Sequence, residues 1–170
     1  MQKDLPINTN IKKAGSGMIS HLRKQKGFTI VELLIVIVVI GILATLVIVT
    51  FTGIQQRARN TKRQTDANAI ASHVEAYFAD NGKYPTLANL NDATWRATNV
   101  KGLDPAALKD PKGTAQTLVA APAANSYAYA PTDDSGNACD NTATDCTKYT
   151  LTATYEGQVN GASTYVKQSH

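Results

Sequence analysis

Glu32 is the residue best placed to do chemistry. It is the one charged side chain in the run Phe28–Thr50, FTIVELLIVIVVIGILATLVIVT. A carboxylate inside an apolar span costs on the order of a few kcal/mol, less near the end of the span, and an ionisable group there is a functional site by default. It needs a cation or a hydrogen-bond donor to offset its desolvation. Lys24-Gln25-Lys26-Gly27 stands immediately before Phe28. A cut after Gly27 would give Phe28 a new α-ammonium group. Glu32 lies four residues further on, on the same helix face. The carboxylate could then pair with that amine, in its own chain or in a neighbour. The alternative is a glutamate that snorkels to the interface and has no role.

The element that holds Glu32 must be a membrane helix. The run is 23 residues long, about 34 Å as a helix, against a bilayer core of about 30 Å. It is apolar all round and rich in β-branched residues, which disfavours a buried soluble helix. A cleaved secretory signal would have only about 7–15 apolar residues before a small-x-small site. Charge sets the orientation. Residues 1–27 carry six basic side chains and one acidic one, whereas the remainder carries 11 basic against 12 acidic. The overall +4 therefore belongs to the N-terminal segment rather than to a nucleic-acid face. Positive charge before the span predicts an inside N-terminus and everything after about Phe51 outside.

Lys26-Gly27-Phe28-Thr29-Ile30-Val31-Glu32-Leu33-Leu34-Ile35-Val36 resembles the processing site of type IV prepilins and pseudopilins. The clear resemblance covers residues 23–50 and weakens through Pro85. It implies that a membrane-embedded prepilin peptidase cuts after Gly27 and that Phe28 is N-methylated. Glu32 becomes the assembly carboxylate that neutralises a neighbour's amine. Other pilin subunits, a pilus assembly ATPase and a platform protein are the implied partners. Two departures stand out. The leader, residues 1–27, is longer than many in the family, and translation starts at either Met1 or Met18. No proline occurs between Pro6 and Pro85, where many pilins bend the helix. Gly41 is the one breaker within the span, at a cost of about 1 kcal/mol relative to Ala, and is where the helix would loosen.

The helical pattern continues past the membrane. Ala67, Ile70, Ala71, Val74, Tyr77 and Phe78 recur at helical spacing on one face, and Asn81-Gly82 followed by Pro85 ends the helix. One helix of about Phe28–Asp80 is expected, apolar over 28–51 and amphipathic over 52–82. Arg57, Arg59, Lys62 and Arg63 fall off the apolar stripe. They read as a solvated face at the lipid headgroups or as intersubunit ion pairs, and four charges are too few to argue nucleic-acid binding. Residues 83–170 form the exported head. Short helices are expected at Asp92–Thr98 and from Asp104-Pro105. Strands are expected at Ser126–Ala130, Lys148–Glu156 and Ser163–Lys167. The fold class is α+β: one long helix packed against a small antiparallel sheet of three or four strands.

The head offers little for catalysis. Cys139 and Cys146 lie in an oxidising compartment, where a disulfide is the default and two free thiols the alternative. His21, His73 and His170 are scattered, so a zinc site lacks ligands. Asp133, Asp134 and Asp140 lie in an oxygen-rich loop, and some pseudopilins bind Ca²⁺ in this region. The spacing is not that of an EF-hand, and a solvated turn is the plainer reading. No Gly-x-Ser-x-Gly or phosphate-binding loop occurs, and no catalytic residue or cofactor is expected. The expected function is a structural subunit of a type IV pilus or related filament, serving adhesion, motility or DNA uptake. The alternative is a pseudopilin of a type II secretion or competence apparatus. A membrane-anchored enzyme or binding module is the reading from another class.

Overall fold

A computed structural model describes residues 27–169 of the chain. Residues 1–26, and with them nearly all of the expected leader and Met18, lie outside the described residues, as does His170. Helix α1 spans Ile30–Asn81, 52 residues. The described residues divide into two compact units, 27–43 and 44–169, and α1 contributes to both.

In the first unit every described side chain is exposed. The helix holds because its backbone bonds close internally, whatever surrounds the side chains. It passes Gly41 without a break, and a Cβ there would meet nothing within 4 Å.

In the second unit the rest of α1 carries the head. The helix ends at Asn81, and Gly82, at φ +70°, donates its N–H to Phe78 O at 2.7 Å. That left-handed residue closes the last carbonyls, as glycine does at many helix ends. Helix α2 (Leu87–Asn91) and helix α3 (Ala93–Asn99) follow, then a 3-10 turn at Pro105–Leu108. Asp92 caps α3 by accepting from Thr94 and Trp95 N–H, and Asp104 caps the 3-10 turn through Ala106 N–H. Strands β1 (Tyr127–Thr132), β2 (Lys148–Val159) and β3 (Ala162–Gln168) form one antiparallel sheet in the order β1-β2-β3.

The apolar stripe of α1 meets the sheet as its spacing predicts. Ala67, Ile70, Ala71 and Val74 form one buried cluster with Tyr127, Tyr129, Leu151 and Ala153. Leu90, Leu108 and Leu118 from the linking region close it. Each fully buried aliphatic side chain contributes about 1.5–3 kcal/mol relative to exposure. Tyr127 and Tyr129 are fully buried but polar at one end. Tyr127 donates its hydroxyl to Asp66 Oδ2 and Tyr129 donates to Pro85 O, both at 2.9 Å.

The structure extends two expected strands. β1 runs through Pro131 because Tyr127 O and Tyr129 N–H already face outward, bonding Val119. By alternation the missing N–H of Pro131 also falls on that outer side, where the β1–β2 ladder does not need it. β2 continues to Val159 past a register irregularity between Thr154 and Val159. The turn is Asn160-Gly161, with φ of 51° and 82°, the type I′ hairpin signature.

Candidate functional site

Glu32 sits in the first turn of α1 and closes a capping box with Thr29. The Thr29 N–H and hydroxyl donate to Glu32 Oε2 at 2.8 and 2.9 Å, and Glu32 N–H donates back to Thr29 Oγ1 at 3.1 Å. Thr29 O accepts the first helical bond, from Leu33 N–H at 3.3 Å. The carboxylate thus satisfies orphan donors at the helix start, where negative charge is also favoured. Thr-x-x-Glu before an apolar run is legible as a capping signature, and the sequence reading missed it. All of these bonds lie downstream of the Gly27–Phe28 bond, so a cut there removes none of them. Both bonds to the side chain use Oε2. Among the described residues no donor is placed on Oε1. Phe28, four residues before Glu32 in the chain, is 86% exposed.

Downstream, α1 presents an unbroken apolar surface. The large aliphatic and aromatic side chains from Ile30 to Ile54 are all exposed. Thr50 and Thr52 do not interrupt it, because their hydroxyls donate back to helix carbonyls, Thr52 to Val49 O at 2.9 Å. This helix is long and apolar enough to cross a membrane.

The basic cluster is where the structure corrects the sequence. Arg63 is not on a solvated face: it is 1% exposed and pairs with Asp110, which is fully buried. Its Nε donates to Asp110 Oδ2 at 2.6 Å and a terminal nitrogen to Oδ1 at 3.0 Å, and it also reaches Asn60 Oδ1 and Glu156 Oε1. Arg59 makes a two-pronged pair with Glu156, each prong 2.7 Å. Lys62 pairs with Asp66 one turn on. Asn60, Arg63, Ala67, Ile70 and Val74 form one buried stripe. Its lower end is polar, so a search for apolar periodicity stops short of it. The network also pins the β2–β3 hairpin. Gln56 and Asn60 both donate to Glu156 O, and Asn60 accepts from Glu156 N–H. Hydrogen bonds from Arg59, then Arg63, outweigh burial and bring Glu156 down to about 2. Burial works against the Arg63 charge, yet Asp110 and Glu156 raise its pKa above the ordinary value.

At the opposite end of the sheet, Cys139 and Cys146 form a disulfide. The acidic loop it staples is organised by its own backbone. Asp133 accepts from Ser135 and Asn137 N–H, and Asp140 from Thr142, Ala143 and Thr144 N–H. Asp134 accepts from the Thr147 hydroxyl. These are turn bonds, and the three carboxylates are not gathered around a point. Among the described residues no cluster of three or more His, Cys, Asp and Glu is placed to hold a metal ion. A groove of about 780 Å³ beside β1 is lined by Leu87, Ala88, Ala120, Pro131 and Ala138, with Asp140 as its one carboxylate. Its other polar lining is Thr86, Asn91, Tyr129 and Thr132, with no histidine, lysine or second carboxylate among the lining residues.

The family model described as the prokaryotic N-terminal methylation motif matches residues 22–48. The type II secretion system core protein G of Dickeya chrysanthemi is 41% identical over 64 residues, covering 38% of this chain and 42% of that protein. Core protein G of Escherichia coli (strain K12) is 35% identical over 104 residues, 61% of this chain and 70% of that protein. The type IV major pilin protein PilA of Myxococcus xanthus is 33% identical over 66 residues, 39% of this chain and 30% of that protein. The chain spans about half the length of the first curated relatives it matches. No solved structure matches the chain significantly.

Proposed function

Because this chain belongs to the type IV pilin and pseudopilin family, we propose that it is a filament subunit that polymerises through α1 once its leader is removed. The observation that carries this reading is the N-terminal turn. A lone carboxylate, with one oxygen that takes no donor among the described residues, sits at the head of a helix whose first half is apolar and exposed, four residues from Phe28. Prepilin peptidase cuts between Gly27 and Phe28 and methylates the new amine. Before assembly the chain is a single-pass membrane protein, N-terminus inside and head outside. Glu32 Oε1 then takes the ammonium of a neighbour's Phe28 while Oε2 keeps its own helix capped. Neighbouring helices bury one another's apolar surface. Gly41 is the point at which the helix yields. An assembly ATPase and a platform protein supply and guide the subunits. The chain's role is structural rather than catalytic.

A second reading is the pseudopilus of a type II secretion apparatus. One relative matched over 70% of its length is a protein named as a secretion core subunit. The shared premise is tested by the mass and N-terminus of sheared filament material, beside a Gly27→Ala variant. A start at methylated Phe28, lost in the variant, is expected. A retained leader, or a cut beyond the span, would overturn both readings. Secretion that fails on deletion, with surface filaments absent at native expression, would select the pseudopilus.

A further inference from the structure

The head is electrically polar along its stem. β2 starts at Lys148, near where Lys83 pairs with Asp145 and Tyr84 N–H donates to Cys146 O. It ends beside Asn60, which binds Glu156. Asn60 and Asn81 are 21 residues apart on α1, so the two ends lie about 30 Å apart along the stem. At the upper end Asp80, Asp133, Asp134, Asp140 and Asp145 stand against Lys83 and Lys148, a net of −3. At the lower end five basic residues, from Arg57 to Arg63 with Lys112, meet Asp66, Asp110 and Glu156, a net of +2. The surplus there is identifiable. Arg57 is exposed and makes no ion pair among the described residues. Lys112, 52% exposed, reaches only Glu156, which two arginines already hold.

We propose that the basic lower end of one head seats the acidic upper end of a second copy of this chain, the two copies displaced by about 30 Å along the stem. This rests on the filament reading and adds the contact that sets the register of the heads. Two different patches of one chain meet, so the contact is heterologous and repeats without closing. Exposed pairs of this kind govern register and partner choice more than raw affinity. A second copy is favoured over anionic lipid because the chain itself carries a patch of opposite charge, separated from the first along the stem. Lipid would account for the lower end alone.

The test uses the full chain, expressed with its assembly machinery. Arg57→Glu and Asp134→Lys should each lower the yield of sheared filaments about fivefold, the effect of roughly 1 kcal/mol per reversed exposed contact. Processing at Gly27 should be unaffected, and the double variant should return to within about twofold of wild type, since reversal restores the pair. Carbodiimide, which joins a lysine amine to a carboxylate in direct contact, should link Lys112 to Asp133, Asp134 or Asp145 of another copy in wild-type filaments and not in dispersed subunits. This second readout is independent of how any variant folds. Single reversals without effect, or no such cross-link in filaments, overturn the proposal. Loss on Arg57→Glu that Asp134→Lys fails to restore assigns the lower end to lipid and also overturns it. A wild-type chain that is processed but forms no filament defeats the filament reading itself, and this proposal with it.

Discussion

Removing Asp110 tests the buried network directly. Asp110→Ala takes two hydrogen bonds from the Arg63 guanidinium, which remains 1% exposed and charged. Breaking a buried pair on one side costs about 3–5 kcal/mol, because the surviving charge stays desolvated. Arg63 keeps Asn60 and Glu156, at 2.8 and 3.0 Å, so the lower figure, about 3 kcal/mol, is expected. For a head of this size that lowers the melting temperature by about 10 °C. Replacing both partners, Arg63→Met with Asp110→Leu, removes the stranded charge and should lie within about 1–2 kcal/mol of wild type. The assay is denaturation of the detergent-solubilised full chain at pH 7, followed by the near-ultraviolet circular dichroism of its buried tyrosines. The reasoning is refuted if Asp110→Ala melts with wild type, or if the double replacement is as damaging as the single one.

Other outcomes follow from the same contacts. Glu156 titrates at about 2 when folded, against an ordinary 4.5. Its folded pKa is depressed, so its stabilisation is present above pH 4.5 and lost as pH falls towards 2. A pH series of melting temperatures should show that slope, and Glu156→Gln should flatten it. On the alkaline side, burial first and then the Glu75 hydrogen bond push Tyr84 up to about 12 from 10, and burial raises Tyr127, Tyr129 and Tyr149 further. These folded pKa values are raised, so stability is present below pH 10 and declines as pH climbs through 12. Phenolate absorbance should therefore lag in the folded chain and appear with unfolding. Replacing both Cys139 and Cys146 with Ala reopens a loop of seven-residue separation and should cost about 2–3 kcal/mol by equilibrium denaturation. Gly157→Ala should cost at least about 1–2 kcal/mol, because φ there is +69° and the new Cβ would lie 2.7 Å from Gln56 Nε2.

The sequence made the long helix, its upper apolar stripe and the strands legible because each has a clean period. Ile70 and Val74 stand four apart, and Tyr149, Leu151, Ala153 and Tyr155 alternate with threonines. The processing motif was legible because a carboxylate among aliphatic residues is costly and therefore conspicuous. Three things were not. Helix α2 begins with a capping box whose third residue is Asn89, where glutamate or glutamine gives the usual signal. The Thr29 cap was hidden by the more obvious demand that Glu32 places on an amine. Arg63 could not be placed inside because its partner Asp110 lies 47 residues away, and nothing local marks a guanidinium as buried. Pairing of distant charges is a property of the assembled head, whereas period and capping belong to the chain.

Consider finally the polar foot of the stripe as a mechanical part. Two oily surfaces can creep: a helix that slips by a turn along a sheet still finds hydrocarbon to press against. The joint of Asn60 and Arg63 with Glu156 and Asp110 has no such neighbouring minimum. A shift of even one residue breaks its bonds together and strands charge in the interior. Shear applied to the head is therefore met by a detent rather than by friction, and a pull on the sheet is delivered to the helix without slip. A head fixed in this way holds its place on the stem under load until the joint fails as a whole.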